Sequence, residues 1–136
     1  MKEKMDYEII DLNAISDERG ALVALESFKN VPFEIKRIYY LTNLKPELPR
    51  GFHAHKKLQQ IIVCMSGSFD LILDDGKDKQ IIHLDSPFKG VLIKSLIWRE
   101  MHNFSNGCVL MTIASDFYDE SDYIRSYEDF KKLVSL

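Results

Sequence analysis

The sequence predicts an all-β fold, a small sandwich or barrel, with a short helical segment at its C-terminus. Its apolar residues fall mostly in short aliphatic or β-branched runs, and residues that turn a chain stand between these runs. Turn signals that recur every eight to twelve residues or so are typical of sandwiches and barrels. Apolar residues take a helical spacing only after Ser121. The length of 136 residues suits one ordinary domain, so we assign residues 1–136 to a single domain.

The strands are predicted from two kinds of pattern. The segment FEIKRIYYL alternates, which places one set of side chains on a common face: Phe33, Ile35, Arg37, Tyr39 and Leu41. The apolar runs predict further strands at QQIIVCM, FDLILDD, QIIHL, GVLIK and CVLMTIA. Asp75-Gly76 and Asn106-Gly107 predict hairpin turns. Each of these strands is short, as expected for a small barrel.

The last segment predicts one or two helices packed on the barrel. Its apolar residues follow a helical spacing, namely Ile124, Tyr127, Phe130, Leu133 and Val134. Ser121 or Asp119 is the expected N-cap, because short polar side chains accept hydrogen bonds from the first free N–H groups of a helix.

Composition excludes several classes of function. A formal net charge of -3 argues against nonspecific nucleic-acid binding, which needs a broad basic surface. No apolar run is long enough to span a bilayer, and the start MKEKMDYEII lacks the apolar centre of a signal peptide, so we expect a cytoplasmic protein without a membrane partner. The two cysteines lie in apolar runs and are expected to be buried and reduced.

The segment RGFHAHKK carries the most informative pattern. Residues i and i+2 of a strand point to the same face, so His53 and His55 are expected to lie together. Arg50 and Phe52 are then expected to face away, unless a bulge intervenes. The pair therefore predicts a two-point site for either metal binding or proton transfer.

Metal binding is disfavoured by the residues that would complete the ligand set. Metal-binding members of the cupin superfamily typically follow such a histidine pair with a glutamate and a later histidine, and this sequence resembles that pattern. It places Gln60 and Arg99 at those positions, and neither an amide nor a guanidinium is a suitable ligand. We therefore expect no metal and no cofactor; His102 would be the remaining ligand if its strand were offset.

A metal-free pair suggests proton transfer, since imidazole titrates near neutrality and nearby cations lower its pKa. A local basic cluster could also hold a small anion: Lys36, Arg37, Arg50, Lys56 and Lys57.

Several longer segments resemble the sugar 3,4-ketoisomerase family, which consists of cupins that act on dTDP-4-keto-6-deoxy-D-glucose. They are DERGALVALE, NVPFEIKRIYYL, PRGFHAHKKLQQIIVCMSGSFDLILDDG, LDSP, WREMHNF and ASDFYDESDYIRSYEDF. The resemblance runs from about Asp17 to the end of the chain. It implies a cupin-type β-barrel (jelly roll) and a homodimer that exchanges an N-terminal strand. It also implies an isomerase in the route to 3-amino-3,6-dideoxyhexoses of bacterial surface polysaccharides.

The resemblance implies a role for each candidate residue of the site. His53 and His55 correspond to the two active-site histidines; we assign His55 as the base at C3 and His53 to the return of the proton. Tyr39 is the expected hydrogen-bond donor to the sugar oxygen. Arg37 and Arg50 are expected to bind the diphosphate. Lys56 is assigned to substrate binding as well.

Arg19 and Arg99 are expected to line the face at which C4 is reprotonated. In the family that the sequence resembles, arginine at the first position with histidine at the second tends to accompany the galacto product, and arginine at the second accompanies the gluco product. With both present, the sequence slightly favours the galacto product.

Three alternatives stay open. A dTDP-sugar 3,5-epimerase would use a histidine partnered by an aspartate, a spacing that this sequence does not reproduce. A non-catalytic sugar-binding cupin would tolerate the loss of one histidine. A metal-dependent dioxygenase would contain stoichiometric metal.

Overall fold

A computed structural model describes residues 4–136 and arranges this chain mainly as β-strands. The strands are β1 Tyr7–Asp11, β2 Ile15–Asp17, β3 Gly20–Leu22, β4 Arg37–Leu41, β5 Arg50–His55, β6 Gln60–Ser66, β7 Phe69–Asp74, β8 Lys79–Leu84, β9 Lys89–Ile93, β10 Trp98–His102, β11 Val109–Ala114 and β12 Tyr123–Ile124. One helix, α1, spans Tyr127–Val134, and a short 3-10 helix spans Glu120–Asp122. The all-β prediction is confirmed.

Two five-stranded antiparallel sheets form the cupin-type barrel. The first has the order β1-β9-β6-β11-β4, and the second has the order β12-β5-β10-β7-β8. Apolar side chains from both sheets fill the interior, with Phe69, Leu71, Ile93 and Leu110 fully buried among them. Strand alternation explains this core, because every second residue of each strand points inward.

Each sheet is covered on its outer face by a different part of the chain. Residues before β4, such as Val31 and Phe33, pack on the first sheet. Helix α1 packs on the second through Phe130, which lies against Trp98. The predicted terminal helix is confirmed, but it begins later than expected: Ser126 caps it, whereas Asp119 caps the preceding 3-10 helix and Ser121 lies within that turn.

One of the two predicted hairpins is confirmed. Asp75 and Gly76 lie in the turn between the paired strands β7 and β8, and Gly76 has φ +95°. The prediction for Asn106-Gly107 is wrong, because this turn connects β10 of one sheet to β11 of the other.

The N-terminal part adds an outlying hairpin to the barrel. β1 pairs with β9 of the same chain, so the exchange of an N-terminal strand between subunits stays a prediction. β2 and β3 form a separate two-stranded sheet, which leaves Ile15 73% and Leu22 58% exposed. Between residues 4 and 136, no helix has the length and apolarity needed to cross a membrane.

Candidate active site

His53 and His55 lie side by side on β5, as the strand period predicts. Their ring centroids are 4.9 Å apart and their planes meet at 85°. A bulge precedes them, with successive positive φ angles of 95° at Gly51 and 59° at Phe52. The extra residue changes the direction of Arg50, which lines the same cavity as His53. Because of this bulge, Arg50 lines the cavity with His53 instead of pointing to the opposite face of the strand.

His55 has an aspartate partner from the C-terminal segment. Its Nδ1 lies 3.2 Å from Oδ2 of Asp122. The same carboxylate accepts hydrogen bonds from the backbone N–H groups of Lys57 at 2.8 Å and Leu58 at 3.2 Å. β12 pairs with β5, setting Tyr123 opposite His55 and bringing Asp122 to this position. The structure thus contains a histidine–aspartate pair that the spacing of these residues in the sequence does not reveal.

A buried chain of hydrogen bonds runs beside the histidines. The Arg99 side chain is 1% exposed, and its guanidinium donates to Oε1 of Gln60 at 2.7 Å and to the Ile97 carbonyl at 2.9 Å. Nε2 of Gln60 donates to the Tyr39 hydroxyl at 3.0 Å. Because the Tyr39 oxygen accepts this bond, its own proton can be donated to another acceptor.

Burial keeps both imidazoles neutral near pH 7. Desolvation, followed by the charge of Arg99, lowers the pKa of His53 to about 4. Desolvation, then the charges of Arg99 and His53, lowers the pKa of His55 to about 2. Burial also lowers the pKa of Arg99 to about 10, which leaves it protonated at neutral pH. A neutral imidazole keeps one ring nitrogen as a proton acceptor, so both rings can take up a proton.

A cavity of about 400 Å³ opens beside His53. Its polar lining comes from Arg37, Tyr39, Arg50, His53, Tyr118, Tyr123 and Arg125. The structure thus brings four of the predicted site residues to one cavity, and three guanidinium groups border it. Such a lining suits an anionic ligand, since arginine binds phosphate oxygens through paired N–H groups.

The sequence did not identify the cavity residues that come from the C-terminal segment. Glu120 accepts hydrogen bonds from Nε of Arg125 at 2.7 Å, from its Nη2 at 2.9 Å and from the Tyr118 hydroxyl group. The Arg125 guanidinium lies 4.3 Å from the centre of the Tyr123 ring. A lone arginine within the acidic, tyrosine-rich run YDESDYIR is the available signal, but the helical spacing after Ser121 predicts a helix there instead of a cavity wall.

Four buried side-chain atoms in the described part of the chain have no hydrogen-bond partner, and all four belong to this site. They are Nε and Nη2 of Arg37, Nε2 of His55 and Nε of Arg99. Three are cationic N–H donors, and the fourth is an acceptor when His55 carries its proton on Nδ1. Since buried polar groups are normally paired, this concentration indicates a binding site for a polar, negatively charged molecule.

Three other residues considered from the sequence lie elsewhere. Arg19 is at the tip of the β2–β3 hairpin, 86% exposed, with its Nη2 2.6 Å from Oδ2 of Asp17. Lys56 is exposed and does not line the cavity, so its predicted contact with substrate lacks structural support. His102 hydrogen-bonds through Nε2 to Oε1 of Glu100 at 2.8 Å, and both residues alternate with the inward-facing Arg99 along β10.

The donor set does not resemble a metal site. No group of three or more His, Cys, Asp or Glu side chains within residues 4–136 is arranged to hold a metal ion. The oxygen of Gln60 already accepts from Arg99, whose positive charge would repel a cation placed beside the histidines.

Comparison with known proteins gives consistent matches over almost the whole chain. The model of the FdtA family, described as WxcM-like, C-terminal, matches residues 5–135. The chain is 54% identical over 131 residues to a TDP-4-oxo-6-deoxy-alpha-D-glucose-3,4-oxoisomerase of Aneurinibacillus thermoaerophilus, covering 96% of this chain and 94% of the relative.

Two solved structures show the same fold. A 3,4-ketoisomerase from Helicobacter canadensis is 49% identical with a TM-score of 0.95, and the match covers 97% of this chain and 99% of that one. The TDP-quinovose 3,4-ketoisomerase WlaRB from Campylobacter jejuni is 52% identical with a TM-score of 0.90, covering 93% and 98%.

Proposed function

The chain belongs to the sugar 3,4-ketoisomerase family, and from that premise we propose that this isomerase moves the ketone of dTDP-4-keto-6-deoxy-D-glucose from C4 to C3. The observation that carries the proposal is the cluster of unpartnered cationic donors and one imidazole acceptor at a single site. The substrate has a partner for each: its diphosphate can bind the cationic donors, and its acidic C3–H group can give a proton to an imidazole.

The reaction requires a base at C3, a proton donor to the sugar oxygen O4 and a second proton transfer, at C4. Removal of the C3 proton and protonation of O4 give an enediol; loss of the O3 proton and protonation of C4 then give the 3-ketone. The proton count is unchanged, so no redox cofactor is needed. Two adjacent imidazoles and one phenol match these requirements.

Burial supports His53 as the base at C3, the reverse of the assignment made from the sequence. His53 lines the cavity, whereas His55 does not line it, is 0% exposed and contacts Asp122 through Nδ1. We assign His55 to proton return at C4: its Nε2 lone pair takes up the O3 proton of the enediol and passes it to C4. Tyr39 donates to O4, because Gln60 leaves its proton available for a new acceptor.

Three arginines are proposed to bind the diphosphate. Arg37 has two unpartnered N–H groups, Arg50 is exposed at the cavity edge, and Arg125 is oriented by Glu120. Arg99 contributes differently, since its buried charge lies beside both histidines and favours the anionic enediolate.

The configuration at C4 is proposed to be gluco, although the sequence alone slightly favoured galacto. Arg99, the residue associated with the gluco product, lies inside the site, whereas Arg19 lies on an exposed hairpin. The 52% identical relative is named for TDP-quinovose, which is a 6-deoxyglucose derivative.

Two properties implied by the resemblance complete the proposal. A homodimer that exchanges an N-terminal strand would cover the exposed apolar residues of the β2–β3 hairpin. A 3-keto product would be consumed by amination at C3, on the route to a 3-amino-3,6-dideoxyhexose for surface polysaccharide.

Proton NMR of dTDP-4-keto-6-deoxyglucose incubated with the protein in deuterated water tests the function. The proposal expects a 3-keto sugar with deuterium at C4, and coupling constants of the aminated product give the configuration there. The His55–Asp122 pair keeps the 3,5-epimerase as the alternative. Label confined to C3 and C5 with retention of the 4-ketone would indicate epimerisation, and no exchange would indicate a binding protein.

A further inference from the structure

We infer that Asp122 is a positioning residue that holds His55 as the tautomer protonated on Nδ1, so that Nε2 retains its lone pair. This inference rests on the proposed function, because it explains how the second imidazole of the site is prepared for proton transfer. Its first element is the 3.2 Å contact between Nδ1 of His55 and Oδ2 of Asp122.

The hydrogen bonds around the carboxylate favour this direction of donation. Backbone N–H groups can only donate, so Oδ1 accepts from Lys57 and Oδ2 accepts from Leu58. These bonds orient both oxygens as acceptors toward β5 and the loop that follows it. A donor on His55 completes the set, and that donor is the Nδ1 proton.

The other ring nitrogen is left as an acceptor. Nε2 of His55 is buried and has no hydrogen-bond partner. The neighbouring rings of His53 and Tyr123, with centroids 4.9 Å and 4.4 Å away, pack nearly edge to face against His55. Arg99 and Arg37 add positive charge around the ring and disfavour a second proton on it. The ring is thereby kept neutral with its lone pair on Nε2.

A purely structural role is the competing explanation. Asp122 also fastens the 3-10 helix Glu120–Asp122 to the loop after β5, because its carboxylate accepts from the backbone N–H groups of Lys57 and Leu58. Loss of that attachment would lower stability or substrate affinity. Loss of the tautomer would instead lower kcat and act only through His55.

The tautomer can be measured directly in the wild-type protein. Nitrogen-15 NMR of histidine-labelled protein at pH 7, assigned by comparison with His55→Asn, should show Nδ1 protonated and Nε2 unprotonated in His55. A proton on Nε2 would overturn the inference. This readout does not depend on turnover, so it stays informative even if no 3-keto sugar forms and the proposed function fails.

A double-mutant cycle tests the catalytic consequence. Asp122→Asn should lower kcat by about tenfold or more while KM changes less than about threefold. In the His55→Asn background, the same substitution should have no further effect on kcat. Equal losses in both backgrounds, or an unchanged kcat for Asp122→Asn, would overturn the positioning role. Thermal unfolding and TDP titration of each variant identify losses of kcat that come from misfolding. If a variant misfolds, the nitrogen-15 measurement on the wild-type protein alone tests the inference.

Discussion

Arg99 donates a 2.7 Å hydrogen bond to Gln60, and both side chains are buried. From the sequence, these are the two positions expected to correspond to ligands of metal-binding cupins. The contact uses the amide oxygen and places a fixed positive charge beside His53 and His55. That charge lowers the pKa of both imidazoles. It is also suited to stabilise an enediolate, a role that a metal ion fills in other enzymes.

Activity is expected to be independent of divalent metal. Dialysis against EDTA, followed by assay in metal-free buffer, should leave kcat and KM unchanged. The reason is the chemistry of Gln60 and Arg99: the amide oxygen already accepts from Arg99, and the guanidinium charge repels a cation. Loss of activity that added Mn²⁺, Fe²⁺ or Zn²⁺ restores would contradict the assignment.

Tyr39→Phe should lower kcat by roughly 10²- to 10³-fold, because it removes the proton donor to the sugar oxygen. The Gln60–Arg99 contact does not involve the hydroxyl and should persist. Tyr40→Phe is the matched control, since Tyr40 is the next residue of β4 and is 69% exposed. Steady-state kinetics of the two variants provide the comparison. Equal rates for them would remove Tyr39 from the mechanism.

Arg125→Gln should weaken TDP binding by about tenfold, the loss expected for a charge-assisted contact worth 1.4 kcal/mol or more. Lys56→Gln removes the same charge from an exposed position outside the cavity and should change the affinity less than about twofold. Isothermal titration calorimetry with TDP measures both. A larger loss for Lys56→Gln would restore the sequence-based role of Lys56 and argue against Arg125.

Acidification should destabilise the fold through the histidine pair. In the unfolded chain a histidine binds a proton near pH 6.5. In the folded protein desolvation lowers the pKa to about 4 at His53 and about 2 at His55. Between pH 6.5 and 4 the unfolded state therefore binds more protons. The free energy of unfolding should fall on acidification by up to about 1.4 kcal/mol per pH unit for each histidine.

Urea unfolding between pH 7.5 and 5 measures this dependence. His53→Asn and His55→Asn should each reduce the slope below pH 6.5, while leaving the slope between pH 7 and 7.5 unchanged. His83→Asn is the control, because its exposed side chain has a pKa raised by its hydrogen bond to Asp70, which is a shift of opposite sign. The same acid slope in wild type, His53→Asn and His55→Asn would contradict the buried, neutral pair.

The sequence predicted those parts of the fold that depend on local patterns. Alternation located β4, and apolar runs located β6 to β9 and β11. Strands β6, β7, β9 and β11 bury much of their length, whereas β8 is largely exposed and was located by its apolar residues alone. The two-residue β12 was missed, since it exists only through its pairing with β5. Its sequence, Tyr123–Ile124, also fits a helical spacing.

In the site, too, the sequence predicted the residues that a local pattern brings together and missed those that depend on long-range packing. The period of a strand placed His53 and His55 together, and the alternation of β4 placed Arg37 beside Tyr39. Asp122 could not be found this way, because it is 67 residues from its partner His55. The bulge at Gly51 was equally hidden: a Cβ there would lie 2.9 Å from the Arg99 carbonyl oxygen, a constraint that only the packed sheet imposes.

Exchange of the C3 proton for deuterium is the most direct test of the central claim that a metal-free imidazole pair transfers the protons. We expect wild type to form the 3-keto sugar and, because the reaction is reversible, to exchange the C3 proton of the remaining 4-keto substrate. His53→Asn should slow C3 exchange by roughly 10²- to 10⁴-fold while still binding TDP and remaining folded. Exchange at C3 by His53→Asn at close to the wild-type rate would contradict the account.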